Sequence, residues 1–149
     1  GYVNDPADPG GETKYGISRR AYPDIDIESL TFHNAQEIYR RDYWSKMRLA
    51  EIDQQLLAEQ VFDHGVNAGV SRAGRLLQDA YNMISKIDGL KVDGIIGEHT
   101  ISAINQFKHQ GELLTVVKGL RFAHYLTLVR YDIEKRRFFL GWINRIGIS

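Results

Sequence analysis

Residues 54–85, QQLLAEQVFDHGVNAGVSRAGRLLQDAYNMIS, carry the clearest helical signal in the chain. Apolar side chains recur there every three or four residues, which is the spacing of one face of an α-helix. The pattern predicts one helix over 54–67 and a second helix capped by Ser71. Gly65 and Gly69 are expected to interrupt or end the first helix. The predicted buried faces are Leu57, Val61 and Phe62 in the first helix, and Ala73, Leu76, Leu77, Ala80, Tyr81 and Ile84 in the second.

Shorter signals lie on either side of this stretch. Thr31 is placed to cap a helix that runs to about Tyr43, and an apolar stripe that begins at Ile101 predicts another helix. Before that stripe, residues 88–94 have the sequence DGLKVDG. Two Asp-Gly pairs flank a short extended piece there, which predicts tight turns and a small hairpin.

Glycines mark the predicted boundaries in the C-terminal part of the chain. Gly111 is expected to break the chain before a long helix over 112–139, and Gly141 to separate a last segment, 142–146. Strand signals are few throughout. The sequence therefore predicts a mainly α fold with a short β-hairpin or turn region.

The composition is that of a soluble globular protein. The 149 residues include 19 Lys and Arg and 19 Asp and Glu, so the formal net charge is zero. A balanced charge argues against general nucleic-acid binding, which needs a basic surface. No apolar run approaches the ~20 residues of a membrane span. There is no cysteine, which excludes disulfides and thiolate metal sites.

The first 17 residues are rich in Gly, Pro, Asn and Asp, and predict a loop rather than a core element. Residues 3–17 have the sequence V-N-D-P-A-D-P-G-G-E-T-K-Y-G-I. Together with Gly1 and Tyr2, this stretch resembles the N-terminal motif of glycoside hydrolase family 108, which is E-G-G-Y followed by V-N-D-P-x-D-x-G-G-x-T-x-Y-G-I, with Gly1 aligned to the second glycine of E-G-G-Y. That family consists of N-acetylmuramidases common in phage and prophage endolysins.

Two further blocks extend the resemblance over essentially the whole chain. Residues 61–69, V-F-D-H-G-V-N-A-G, resemble the family's D-x-x-V-N-x-G helix. The segment 76–104, with L-Q-D-A followed by V-D-G-I-I-G-E-H-T-I-S-A-I, resembles the helical peptidoglycan-binding unit that follows the catalytic part. The resemblance implies a lysozyme-like helical domain, with a muramidase-like part over 1–70 and a peptidoglycan-binding-like part over 71–149, packed as one compact unit.

The resemblance also implies an activity. The expected reaction is hydrolysis of the β-1,4 bond between N-acetylmuramic acid and N-acetylglucosamine in peptidoglycan, without a metal or organic cofactor. The protein is expected to be made in the cytoplasm and to act at the periplasm or cell wall. No export signal is visible, and the pattern predicts no oligomeric state.

Glycoside hydrolysis generally needs a protonated carboxyl group and a second, ionised carboxylate. Alignment with the motif places the family's general-acid glutamate two residues before Gly1. The sequence as it stands is therefore expected to be truncated and inactive or nearly so. By analogy with phage-type lysozymes, Asp8 is assigned as the second carboxylate, and Thr13 as a residue that positions a water or supports Asp8. Asp5 competes for the role and is equally a candidate turn residue.

The resemblance supplies the other candidates. Glu12 lies at a variable motif position and is expected to be a solvated side chain. Candidate substrate-binding residues are Tyr2, Asn4, Asp5, Tyr15 and Asn67. His64 is interpreted as a structural histidine, and the five histidines have no metal-ligand spacing.

Two other classes of function remain open. One is a non-catalytic peptidoglycan-binding or phage structural module. The other is a lytic transglycosylase, which also uses a single acid but leaves an anhydro product.

Overall fold

A computed structural model describes residues 1–87 and 89–147. The chain divides into two compact units, Gly1–Asp42 and Tyr43–Ser149. The predicted division at residues 70 and 71 stays a prediction. The helical fold with one short antiparallel hairpin confirms the predicted fold class.

The first unit contains the hairpin. Strand β1 (Thr13–Lys14) pairs antiparallel with β2 (Ile17–Ser18), with Thr13 opposite Ser18. Tyr15 and Gly16 connect the strands, with φ angles of 53° and 78°. Positive φ at both residues of a two-residue loop is the requirement of a type I′ turn, whose twist matches that of the strands.

One helix completes this unit. Helix α1 (Phe32–Tyr39) begins after Thr31, whose side chain accepts a hydrogen bond from the Asn34 amide as predicted. A π-helical segment, Arg40–Ser45, follows directly. The buried core of the unit consists of Ile17, Ile27, Leu30, Ala35 and Ile38.

The second unit begins at Tyr43, within the π-helical segment, and its 3-10 turn, Leu49–Glu51, is followed by the two predicted helices. Helix α2 (Gln55–Ala68) ends at Gly69, and α3 (Val70–Ser85) starts immediately after it. The expected cap at Ser71 was wrong, because Ser71 lies inside the first turn and Gly69 takes the cap position. Of the predicted inner faces, the fully buried members are Leu57, Val61, Ala73, Leu77 and Ala80.

The predicted hairpin near residues 88–94 was misplaced. Asp88 lies outside the described residues, and residues 89–97 contain no strand. The segment is instead organised by the buried Gln78 side chain. Gln78 Oε1 accepts hydrogen bonds from the Asp93 and Gly94 amides at 3.1 and 2.9 Å, and its Nε2 donates to Asp93 Oδ1 at 3.0 Å. Because one helix side chain satisfies this loop backbone, no partner strand is needed.

The C-terminal helices differ from the prediction in their boundaries. Helix α4 (Glu98–Gln106) is followed by α5 (Gln110–Tyr131), a 3-10 turn (Ile133–Lys135) and α6 (Arg136–Ile146). Gly111 lies inside α5 and Gly141 inside α6, so neither breaks a helix.

The cost of a glycine in a helix interior is only about 1 kcal/mol. Burial of Leu113, Val117 and Tyr125 along α5 outweighs that cost. The single helix predicted over 112–139 ends at Tyr131 because the Asp132 side chain accepts from the Glu134 amide and starts a new turn. Among the described residues, no helix is long and apolar enough to cross a membrane.

Candidate functional site

The N-terminal loop of the first unit is shaped by its two aspartates. Asp5 Oδ1 accepts a hydrogen bond from the Ala7 amide at 2.9 Å, and Asp8 Oδ1 accepts one from the Gly10 amide at 2.8 Å. Each is a turn in which a side chain bonds its own backbone two residues on. The Asp8 amide also donates to the Asp5 carbonyl at 2.9 Å. Both carboxylates are exposed and are held in fixed orientations by the loop backbone.

Glycine is favoured at positions 10 and 11, directly after the Asp8 turn, for two different physical reasons. A Cβ built on Gly10 would lie 3.2 Å from Asp8 Oδ1, inside the normal contact distance. Gly11 has a φ of 72°, in the left-handed region that favours glycine. The pair therefore lets the chain turn tightly around the Asp8 carboxylate.

Thr13 lies next to this turn, in β1. Its backbone pairs with Ser18 on one side and with Val3 on the other. Its hydroxyl donates a long hydrogen bond of 3.4 Å to the Gly11 carbonyl. The main chain at Thr13 is thus fixed on both sides, while its hydroxyl faces the glycine turn.

Glu12 is bound rather than freely solvated, contrary to expectation. Its side chain is only 20% exposed and accepts from Arg19 Nε at 2.8 Å and Nη2 at 2.6 Å. Its second oxygen accepts from the Tyr2 hydroxyl at 2.8 Å. Hydrogen bonds from Arg19, then from Tyr2, hold the pKa of the Glu12 carboxyl below its usual value. The bond to Glu12 in turn raises the pKa of the Tyr2 hydroxyl.

This link anchors the start of the chain, and no sequence pattern predicted it. The seven-residue spacing from Glu12 to Arg19 has no signature of its own, because the hairpin between the two residues brings them together. Tyr2 is a candidate site residue, and its hydrogen bond to Glu12 fixes the position of its hydroxyl group. Asn4, two residues later, is exposed in the same loop.

Tyr15 projects from the tip of the hairpin. Its ring packs edge-on against Phe32, with centroids 5.7 Å apart, and Lys14 Nζ lies 5.7 Å from the Tyr15 centroid. The Tyr39 hydroxyl donates to the Tyr15 carbonyl at 2.7 Å and fixes the turn. Phe32 is 61% exposed. The two rings form an exposed aromatic pair of a kind that suits a sugar face; Phe32 was not predicted.

Asn67, the remaining candidate, lies in the second unit. Its Nδ2 donates to the Asp63 carbonyl at 3.0 Å and to Asp63 Oδ2 at 3.3 Å. Asp63 Oδ2 also accepts from Arg121 Nη2, and Arg145 Nε lies 3.1 Å from Asp63 Oδ1. Asn67 is therefore part of a polar cluster within the helical unit.

His64, the neighbour of Asp63, is 2% exposed. Burial, assisted by the nearby charge of Arg121, lowers the pKa of the His64 imidazole to about 3. The ring is neutral near pH 7, and it packs edge-on against His124 with centroids 5.0 Å apart. Its Nδ1 has no hydrogen-bond partner among the described residues.

Comparison with known proteins assigns a class to each part of the chain. Residues 1–69 match the family model of glycosyl hydrolase 108, and residues 72–147 match that of a predicted peptidoglycan domain. The second match spans just over half of the chain, so the chain belongs to the family of this predicted peptidoglycan domain. The part before that domain is similar to glycosyl hydrolase 108. The predicted family resemblance is confirmed.

A solved structure of SagA from Brucella abortus is similar over most of its length. It is 26% identical in sequence, with a TM-score of 0.73, and the match covers 99% of this chain and 82% of SagA. No protein with curated annotation matches the chain. The first part of the chain is thus similar to a glycosyl hydrolase, and the chain carries a predicted peptidoglycan domain, which implies action at the cell wall.

Proposed function

We propose that this protein hydrolyses the β-1,4 bond between N-acetylmuramic acid and N-acetylglucosamine. Asp8 serves as the second carboxylate, and the general acid is a glutamate at the motif position two residues before Gly1. The observation that carries the proposal is the match of residues 1–69 to glycosyl hydrolase 108. Support comes from the Asp8 carboxylate, which is exposed and oriented by the loop that matches the motif.

The three acidic residues of the loop, Asp5, Asp8 and Glu12, differ in how many of their carboxylate oxygens are already hydrogen-bonded. Both Glu12 oxygens are occupied, and Arg19 neutralises the charge of this carboxylate. An ion-paired carboxylate is a poor base and a poor partner for a developing positive charge on the sugar. Asp8 and Asp5 each have one oxygen engaged by a backbone amide. The motif position selects Asp8 for catalysis and leaves Asp5 for substrate contact.

In the proposed reaction the glutamate protonates the glycosidic oxygen as the bond breaks. The Asp8 carboxylate then stabilises the positive charge on the sugar ring, or activates the attacking water. The Gly10 amide holds the Asp8 carboxylate in place, so the orientation of this carboxylate is set before the substrate binds. Thr13 positions the water or supports Asp8.

The proposed substrate contacts follow the same loop. The rings of Tyr2 and Tyr15 offer apolar area with polar tips to the sugar units. Asn4 and Asp5 supply amide and carboxylate groups for sugar hydroxyls and acetamido groups. Asn67 of the second unit is proposed separately as a substrate-binding residue. Export to the cell wall is part of the proposal.

The test compares hydrolysis by a chain extended with the motif's Glu-Gly ahead of Gly1 and by the same chain with Asp8→Asn. Purified sacculi are the substrate, and new reducing ends are the readout. Loss of a positioned catalytic group costs ~10²-fold or more, so Asp8→Asn is expected to lose at least that much. Asp24→Asn, an exposed aspartate of the same unit, is the matched control and is expected to keep full activity.

The rival functions give different products. Equal rates with and without the added glutamate would refute the assignment of the acid. Anhydro-ended fragments in mass spectrometry would make the protein a lytic transglycosylase. Retention on sacculi without any release, by a correctly folded extended chain, would make it a binding module.

A further inference from the structure

A groove of ≈ 480 Å³ runs along the second unit, between α3 and α5. Arg72, Arg75 and Asp79 line it from α3, and His124 lines it from α5. All of its lining residues belong to the second unit, outside the N-terminal loop proposed to carry the hydrolysis.

Among the described residues, the charged side chains of the groove have no ion-pair partner. Arg72 and Arg75 are exposed, and neither forms an ion pair with another described residue. Asp79, one helical turn after Arg75, likewise forms none. Two guanidinium groups in planar fork geometry are suited to carboxylates, and the nearby carboxylate suits an amide or ammonium N–H.

His64 of α2 also lines the groove. His64 is only 2% exposed, and its Nδ1 has no hydrogen-bond partner in the described chain. Buried polar atoms in native proteins are almost always hydrogen-bonded. The unpaired Nδ1 is an exception inside the fold and has essentially no accessible surface, so the ligand class is indicated by the exposed charges of Arg72, Arg75 and Asp79 rather than by this nitrogen.

The rest of the lining is aliphatic. Leu76, Leu120 and Leu128 supply it, between the arginines of α3 and His124 of α5. The groove thus offers cations, one anion and an apolar surface, with no wide exposed ring face for stacking a sugar. This chemistry fits a short peptide that has free carboxylates, N–H groups and methyl side chains.

We propose that the groove binds the peptide stems of peptidoglycan rather than its glycan strand. The stem carboxylates bind Arg72 and Arg75, an N–H group of the stem binds Asp79, and the alanyl methyl groups lie on the leucines. The proposal rests on peptidoglycan being the substrate, and adds a peptide subsite in the helical unit. Such a subsite holds the enzyme on peptide-bearing wall independently of bond cleavage.

The test is calorimetric binding of purified fragments to the full chain. The probes are the disaccharide-tetrapeptide, the same disaccharide without its peptide, and inorganic phosphate. The disaccharide-tetrapeptide is expected to bind and the bare disaccharide to bind at least 10-fold more weakly. The double variant Arg72→Gln with Arg75→Gln is expected to weaken tetrapeptide binding at least ~10-fold, the loss expected for removal of charge-assisted hydrogen bonds. Arg130→Gln, an exposed arginine of α5 outside the groove, is the matched control and is expected to bind like the wild type.

A second readout locates the ligand. Addition of the disaccharide-tetrapeptide is expected to shift the imidazole NMR signals of His64 and His124, while the exposed His33 signal stays in place. Equal binding of the bare disaccharide, unchanged affinity in the double variant, binding of phosphate alone, or unmoved His64 and His124 signals would each overturn the peptide subsite. Hydrolysis of sacculi by the extended chain is measured separately, so a failed subsite and a failed hydrolase are distinguished.

Discussion

Arg121 Nη2 donates to Asp63 Oδ2, and Arg121 has no exposed surface. The same guanidinium donates from Nη1 to Gln60 Oε1 at 2.6 Å, and Nη2 lies 3.3 Å from the Tyr125 hydroxyl. Asp63, which opens the D-x-x-V-N-x-G block, therefore joins α2 to α5. Arg145 Nε, at 3.1 Å from Asp63 Oδ1, adds α6 to the same cluster.

Asp63→Asn is expected to destabilise the protein strongly. The change leaves a fully buried guanidinium without its counter-charge, and breaking a buried pair in this way costs about 3–5 kcal/mol. The free energy of unfolding from urea titration is the measurement. Glu37→Gln removes the exposed pair with Arg40 and serves as the control, with no measurable change expected. A similar small effect of both variants would contradict a structural role for the buried pair.

Mild acid is expected to destabilise the protein through His64. Its pKa is about 3 in the folded state, against ~6.5 for an unfolded chain. Between these two pH values the unfolded state binds one proton more than the folded state. The contribution of His64 to stability is therefore fully present above pH ~6.5 and is lost as the pH falls toward 3. The loss between pH 7 and pH 5 is about 2 kcal/mol, and His124, whose pKa burial also lowers, adds to it in the same direction.

The measurement is the free energy of unfolding at pH 7 and pH 5 for the wild type and for His64→Leu. The variant is expected to show a clearly smaller difference between the two pH values. His33→Gln, an exposed histidine on α1, is expected to keep the wild-type difference. A wild-type slope in His64→Leu would show that other groups control the pH dependence.

Arg19→Gln is expected to raise the pKa of the Glu12 carboxyl toward its ordinary value. The hydrogen bonds from Arg19 are the largest cause of its lowered pKa, and only the bond from Tyr2 remains in the variant. Carboxyl-carbon NMR of Glu12 across an acid titration measures the change. Arg20→Gln, the adjacent exposed arginine, should leave the Glu12 titration where it is. No movement of the midpoint in Arg19→Gln would remove Arg19 as its cause.

Gly16→Ala is expected to destabilise the hairpin by more than ~1 kcal/mol. Gly16 has a φ of 78°, and a Cβ there would clash with the Tyr39 hydroxyl that holds the turn. Thermal unfolding measures the loss. The opposite sign is expected for Gly119→Ala, because Gly119 lies inside α5 with open space around it. Alanine there gains up to ~1 kcal/mol in helix propensity. Stabilisation by Gly16→Ala would show that the turn is not constrained as described.

The sequence located most helices because their apolar faces repeat with helical spacing. Thr31 was correctly identified as a cap, since its side-chain oxygen needs only the local backbone to act. The hairpin was expected near residues 88–94, where Asp-Gly pairs are a strong turn signal, but it lies at Tyr15–Gly16. Gln78, 15 residues before Asp93 in sequence, takes the place of a partner strand, and no local pattern reveals such a contact.

The candidate site divides in the same way. Asp5 was predicted to be either the second carboxylate or a turn residue. Its turn is local, because the Asp5 side chain accepts from the amide of Ala7, only two residues later. The bond from Arg19 to Glu12 and the pairing of Phe32 with Tyr15 depend on where the hairpin brings the chain. Neither contact has a residue pattern from which it is predictable.

The sequence alone determined the family, the helical class and the identity of the acids in the N-terminal loop. Those properties are encoded locally, in motif residues and in side-chain periodicity. Only the tertiary structure decided that Arg19 neutralises Glu12, that His64 is buried with no partner for Nδ1 among the described residues, and that Arg121 binds Asp63. Charge neutralisation and desolvation depend on which distant groups surround an atom, and that is settled only when the helices pack.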